Sequence, residues 1–292
     1  MRRGILHADV VNTVSKSYSK EILTGEFGEG LDKLLLELKG KLFGIINGLD
    51  YEEYDPATDK LLEKNFDIKS IGLRSKNKIA LQKEFDLPID PDIPVLGFVG
   101  RLDAMKGIDM MTETLHHLLR DFDVQFIQIG GGDSWLADKL KALKEEYPNK
   151  VGIHTYANFT LPRLLFGGSD MILYPSRFEP CGIVQLEAMR YGAIPIVRKV
   201  GGLSDTVVNF NSKTKKGTGF VFKDFNKFSL FGQIVRALEV YNNTETWRHL
   251  QKNAMSTDYS WGFSAAEYTR LYSIAKNFNK KEIIHGRFVE RS

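Results

Sequence analysis

Two glutamates eight positions apart, Glu179 and Glu187, lie in the stretch YPSRFEPCGIVQLE at 174–187. The apolar run Met171-Ile172-Leu173 feeds a loop with Pro175, Pro180 and Gly182, and a helical pattern runs from Ile183 to about Tyr191. A strand, a tight loop and a helix in that order make an anion site. The strand delivers the chain to a sheet edge, where free backbone N–H groups at the helix start meet a negative ligand. Were the intervening stretch all helix, the two carboxylates would stand roughly 12 Å apart along its axis. A purely local reading competes with this, because acidic side chains are favoured near a helix N-terminus whether or not a ligand is present. Cys181 occupies a helix-start position that lowers a thiol pKa. With no base in sequence reach, it reads as a small packing residue.

The other strand ends carry similar chemistry. Gly100-Arg101-Leu102 and then Lys106-Gly107 follow the apolar run at 95–99, and Gly130-Gly131-Gly132-Asp133 follows the run at 124–129. Lys199 and Gly201-Gly202 come after the run at 194–197. In an open parallel sheet ligands bind beyond the carboxyl ends of the strands, so four loops bring glycines, fixed cations or both to one edge. Arg101 offers a planar fork for phosphate oxygens and Lys106 a compact point charge, which suits a diphosphate. The loop at Gly130 lacks the third glycine of a dinucleotide fingerprint and the lysine–hydroxyl pair of a P-loop, disfavouring a dehydrogenase or an NTPase. The histidines show no metal-ligand spacing, and His116 and His117 face different sides of their helix. No metal and no cofactor are expected.

These loops need a sheet to hold them. Short apolar runs at 95–99, 124–129, 151–154, 171–174, 194–197 and 219–222 predict strands. Helical patterns fall at 109–120, 135–146, 161–166, 183–191 and 204–208. That alternation predicts an α/β fold, a parallel sheet covered on both faces. Before it come a strand at 9–15, helices at 18–23 and 31–38, a strand at 42–46 ending in the turn signal Asn47-Gly48, and a helix at 76–85. Residues 51–75 are polar and irregular and read as a linker. Helices at 227–241, 245–255 and 265–278 close the chain, and a basic, unpatterned tail begins at Asn279. The expected division is 1–50, linker 51–75, 76–256, and a C-terminal helix with its tail at 257–292.

The 292 residues are 42% hydrophobic, enough for one large core or two modest ones. Forty Lys and Arg against 37 Asp and Glu leave a net charge of +3, which does not suggest a nucleic-acid partner. A single cysteine excludes an internal disulfide and fits a reducing compartment. No run approaches the length of a membrane span, so a cytoplasmic protein with no membrane partner is expected.

Several of these motifs together resemble the bacterial glycogen synthases and plant starch synthases. The resemblance rests on SRFEPCG with the Glu179–Glu187 spacing, GRLDAMKG at 100–107, QLEAMRYG at 185–192, VGGLSDTV at 200–207 and TGFVF at 218–222. ADVVNTVS at 8–15 and INGLDYEEYDPATD at 46–59 are similar to the end of that family's first domain and the crossing into its second. The resemblance implies a GT-B glycosyltransferase: a Rossmann-like C-terminal domain plus the tail end of an N-terminal one. The implied activity is retaining transfer of glucose from ADP-glucose to the non-reducing end of an α-1,4-glucan, without a metal. By matching position, Arg101 and Lys106 neutralise the diphosphate, and Glu179 lies beside the transferred glucose. Cys181, Gly182 and Ile183 surround the sugar and phosphates, and Glu187 reaches the ribose. Tyr156 stacks on the base, and Asn47 contacts sugar from the first-domain side.

Two family features are missing. The lysine–glycine–glycine–leucine donor loop of the first domain is absent, and Lys199–Leu203 is its second-domain look-alike. The acceptor-side histidine is absent too. A truncated product, a split-gene half or one piece of a larger protein is therefore expected, weakly active or inactive alone, with a separately encoded N-terminal domain among its partners. The alternatives are a retaining GT-B transferase that uses UDP-glucose, and a non-catalytic module that binds a nucleotide sugar.

Overall fold

A computed structural model describes residues 1–284, with the side chains of residues 1–278. The chain divides into two compact units, one of residues 1–49 with the C-terminal segment from Asp258, the other Asp50–Thr257.

The first unit begins with a helix absent from the sequence expectations, α1 (Arg2–His7), followed by β1 (Val11–Val14), α2 (Lys16–Glu21), α3 (Asp32–Glu37) and β2 (Leu42–Ile45). β1 and β2 pair in parallel, Val11 opposite Leu42 and Val14 opposite Ile45. Ile45 is buried, whereas Val11, Val14 and Leu42 are only half-buried. The C-terminal helix, Trp261–Ile284, belongs to this unit, so it is not a separate appendage. Leu49 donates to the Tyr259 carbonyl at 2.8 Å and accepts from Trp261 N–H, while Ser264 Oγ caps the Ile46 carbonyl at 2.7 Å. A Cβ on Gly48 would lie 2.5 Å from Trp261 Cα. This glycine therefore permits close approach of two backbones and makes no turn. The helix runs through Asn279, where the sequence predicts an unpatterned tail; the end of that tail lies outside the described residues.

The second unit holds α4 (Arg74–Glu84), β3 (Val95–Val99), α5 (Ile108–Asp121), β4 (Gln125–Ile129), α6 (Ser134–Glu146) and β5 (Val151–His154). It continues with α7 (Leu161–Gly168), β6 (Met171–Tyr174), α8 (Val184–Arg190), β7 (Ile194–Arg198), α9 (Gly201–Thr206) and β8 (Phe220–Phe222), then α10 (Lys227–Tyr241) and α11 (Thr244–Ser256). Its six strands run parallel in the order β5-β4-β3-β6-β7-β8. β3, β4, β6 and β7 are buried on both faces, which is why their sequences are nearly continuous apolar runs. Helices α5, α6 and α10 pack together in one group, and α4 packs on α7 and α8 on α11 in another. From β3 the chain winds outward through β4 and β5, then returns to lay β6, β7 and β8 on the other side of β3. The order reverses between β3 and β6, and a crevice at such a switch point is where open α/β sheets bind ligands.

Two expectations need correction. Helix α9 begins at Gly201 rather than at Ser204, because the glycine pair itself turns into the helix. Residues 51–75 are not a linker. They belong to the compact second unit and bury Leu62, Phe66 and Ile71 in its core. Polar composition misleads here because the segment is tied down by side chains. Asn77 exchanges hydrogen bonds with the backbone of Lys64 at 2.9 and 2.8 Å, and Arg163 donates to the Glu53 carbonyl at 2.9 Å.

Candidate active site

The loops that follow β3 and β6 rise side by side at the switch point. After β3, Asp103 starts a short 3-10 turn, Ala104–Lys106, accepting from the N–H groups of Met105 at 2.9 Å and Lys106 at 3.2 Å. Gly107 ends the turn at φ +70°, with its Cα pressed on the Pro175 carbonyl of the neighbouring loop, where no Cβ fits. This packing sends Lys106 across the crevice. Its Nζ lies 2.5 Å from Glu179 Oε2 and 5.2 Å from the centre of the Tyr174 ring. Arg101 stays largely exposed, with Nε donating to Asp103 Oδ2 at 2.8 Å.

Glu179 is buried, and Ser176 Oγ also donates to it at 3.3 Å. The backbone around it is clamped from below by the glycine pair after β7. Gly202 N–H donates to the Glu179 carbonyl at 3.1 Å. A Cβ on Gly201, which sits at φ +44°, would fall on that same carbonyl oxygen, and one on Gly202 would fall on the Cys181 carbonyl. Only glycines let α9 begin this close. Gly182 has φ +69°, and Gln185 Nε2 donates to its carbonyl at 2.8 Å, fixing the entry into α8. Cys181 is buried among these backbones, as a packing residue would be. Ile183 is the N-cap of α8 and is partly exposed.

Glu187, in α8, is pushed above the usual glutamate range by burial, against the opposing pull of a Tyr54 hydrogen bond and the Arg163 charge. Tyr54 is itself pushed up to about 12, first by burial and then by the Glu187 carboxylate. Arg163 lies 3.6 Å over the Tyr54 ring and is held by Asp59, Glu53 and the Tyr191 hydroxyl. Tyr174, at the end of β6, joins these groups to the rest. Burial raises its phenol well above the normal value, and the charges of Glu179, Glu187 and Asp103 add to that.

The structure thus brings together Arg101, Lys106, Glu179, Cys181, Gly182, Ile183 and Glu187. Tyr156 is in the loop after β5, three-quarters exposed, and its backbone borders Gly131 of the loop after β4. Asn47 follows β2 in the first unit, half-buried. Sequence reasoning passed over Asp103, Ser176, Tyr54 and Arg163. Asp103 carries a local signal, an Asp immediately before a turn that ends in Lys-Gly. Ser176 lies three residues from Glu179 in the same loop, and Tyr54 and Arg163 reach the site through long-range packing. Among the described residues no group of three or more His, Cys, Asp or Glu side chains could hold a metal ion. His116 meets a single carboxylate, Glu146, at 3.0 Å. No described helix is long and apolar enough to cross a membrane.

Residues 81–256 match the sequence profile of the family described as glycosyl transferases group 1, and residues 1–37 match that of the starch synthase catalytic domain. The chain is 46% identical over 277 residues to a glycogen synthase of Kosmotoga olearia, covering 95% of this chain and 58% of that protein. It is 45% identical over 272 residues to the glycogen synthase of Lactobacillus acidophilus, covering 93% of this chain and 57% of that one. The chain therefore spans less than two thirds of the length of the curated relatives it matches. Among solved structures, the catalytic domain of starch synthase IV from Arabidopsis thaliana, bound to ADP and acarbose, superposes with a TM-score of 0.88 at 32% identity. That match covers 94% of this chain and 57% of the other. A sucrose-phosphate synthase from Thermosynechococcus elongatus, at 20% identity and a TM-score of 0.64, covers 93% of this chain and 59% of its own and shares the fold alone. A parallel sheet reversing at a crevice lined by Lys106 and Glu179, together with these matches, makes this chain a member of the glycosyl transferases group 1 family, GT-B in fold and homologous to glycogen and starch synthases.

Proposed function

We propose that this chain forms the donor-binding part of a glucan synthase that moves glucose from ADP-glucose to the non-reducing end of an α-1,4-glucan, with retention and without a metal. The observation that carries this reading is the Lys106–Glu179 pair at 2.5 Å, at the switch point beside Arg101. In transfer, the bond from the anomeric carbon to the diphosphate breaks as a bond to the acceptor oxygen forms. Negative charge grows on the departing diphosphate, which calls for fixed cations, and the sugar becomes oxocarbenium-like, which calls for a carboxylate. Lys106 and Arg101 supply the first and Glu179 the second. Cys181, Gly182 and Ile183 border the sugar and phosphates, Glu187 takes the ribose and Tyr156 the base. Asn47 is a further sugar-contacting residue in this reading.

In this reading the unit Asp50–Thr257 is the donor domain. The other unit is part of a second Rossmann-like domain whose sheet takes further strands. Its β1–β2 pair supports this, because a parallel sheet of two strands with half-buried side chains is not a self-sufficient layer. A family first domain, carried on another chain or on more of the same one, is then the partner. Cytoplasmic action follows from the donor class and suits a protein whose one cysteine is a thiol.

Calorimetric titration of the chain with ADP-glucose and with UDP-glucose tests the assignment, with the first expected to bind more tightly. Excess chelator is expected to leave ADP-glucose binding unchanged. Equal indifference to both nucleotide sugars would sink the reading, and tighter UDP-glucose binding would move it to another donor.

A further inference from the structure

We infer that Asp103 is the positioning residue for both cations of the donor site, a role that rests on the donor-site reading above. Its carboxylate is divided between two tasks. Oδ1 accepts from the backbone N–H groups of Met105 and Lys106, at 2.9 and 3.2 Å, and so sets the direction of the short turn that aims Lys106 at Glu179. Oδ2 accepts from Arg101 Nε at 2.8 Å. Nε is the one nitrogen of Arg101 bonded to protein among the described residues, so both terminal nitrogens of the fork remain for phosphate oxygens. A guanidinium held this way presents a ready pair of parallel donors, and a lysine in its place does not.

A structural role for Asp103 accounts for only half of this arrangement. Capping the turn needs Oδ1 alone. The ion pair with Arg101 contributes little to stability, because the arginine side chain is 78% exposed and the attraction is screened by water. Its effect is to restrict the guanidinium before the ligand arrives. That restriction bears on diphosphate recognition and leaves adenosine recognition untouched.

Asp103→Asn separates the two tasks. The amide oxygen still caps the turn, while the amide nitrogen opposes Arg101 Nε with donor against donor. Calorimetry on the full 292-residue chain, titrated with ADP and with adenosine, is the measurement, and thermal unfolding reports folding. ADP affinity is expected to fall roughly tenfold, the lower end for a charged hydrogen bond, with adenosine affinity and melting temperature nearly unchanged. Placed in an Arg101→Ala background, Asp103→Asn is expected to add no further loss of ADP affinity. Arg101→Lys, which keeps the charge and leaves the Asp103 carboxylate intact, is expected to match the loss in Asp103→Asn and serves if that variant fails to fold. Wild-type ADP affinity in either single variant, or an equal loss in the Arg101→Ala background, overturns the proposal while the donor site stands. A wild-type chain that binds no ADP removes the donor-site reading and this role with it.

Discussion

At the scale of single residues, the lysine and the glutamate of the central pair have separable roles. Lys106→Ala is expected to weaken ADP and ADP-glucose binding by about 1.5–3 kcal/mol, the worth of a hydrogen bond to a charged group. It also leaves Glu179 buried without its cation. Glu179→Gln keeps the shape and frees Lys106 for the diphosphate, so donor affinity is expected to hold or tighten. In an enzyme assembled for transfer, the same change is expected to cost on the order of 10²–10³ in rate. Titration and initial rates on the two variants check this split, and a Glu179→Gln protein that keeps its rate but loses the donor would make Glu179 a structural cap. Glu187 shows a second tension. Burial raises its carboxyl above the ordinary value, so the folded state holds the proton more tightly than the unfolded chain. The stability from this is fully present below the unfolded pKa and is lost as pH rises through the folded one. Glu187→Gln is thus expected to melt higher than wild type at pH 7 and to lose that advantage in acid, while binding donor more weakly. Melting curves across pH that run parallel for both proteins would contradict it.

At the scale of elements, the glycine pair at the start of α9 positions the loop of Glu179. Gly201 has φ +44° and lies against the Glu179 carbonyl. Gly201→Ala carries a conformational cost of roughly 1–2 kcal/mol from the left-handed backbone alone, and its methyl group must push the loop of Glu179 aside. Gly232, mid-way along α10 and facing open space, is the control. Its change to Ala is expected to stabilise by about 0.5–1 kcal/mol, since only the glycine's loss of chain entropy is removed. Denaturant unfolding with ADP titration is expected to show Gly201→Ala losing both stability and affinity while Gly232→Ala loses neither. A Gly201→Ala protein that binds ADP normally would mean that the loop is placed by something else. The segment 51–75 teaches a related lesson. Tyr54, Asp59, Leu62 and Phe66 read as surface in a linear sequence, yet they complete the second unit and, through Tyr54, reach Glu187.

At the scale of the molecule, donor binding and transfer are expected to come apart. The second unit carries its own core together with the proposed donor-site residues Arg101, Lys106, Tyr156, Glu179 and Glu187. The first unit offers two parallel strands whose side chains are half-covered, along with exposed Leu6 and Leu36. The isolated 292 residues are expected to bind ADP-glucose yet show no measurable glucosyl transfer to glycogen, because transfer needs a closed cleft that excludes water. Supplying a family first domain in trans is expected to raise transfer above background. Robust synthase activity from the 292 residues by themselves would overturn this.

The amino-acid sequence by itself determined the six strands of the second unit's sheet, four of which are buried on both faces and so read as short apolar runs. It also marked the loops that hold Arg101, Lys106 and Glu179 and the helix that holds Glu187. Those signals are local: apolar runs, glycines at tight approaches, and charges directly after a strand. What only the tertiary structure decided was the order β5-β4-β3-β6-β7-β8, which makes β3 and β6 neighbours and so sets Lys106 beside Glu179. The same holds for Arg163 stacked on Tyr54 and for the C-terminal helix joining residues 1–49. Each depends on contacts between residues far apart in the chain, whose energies come from burial and pairing and leave no periodic trace in the sequence.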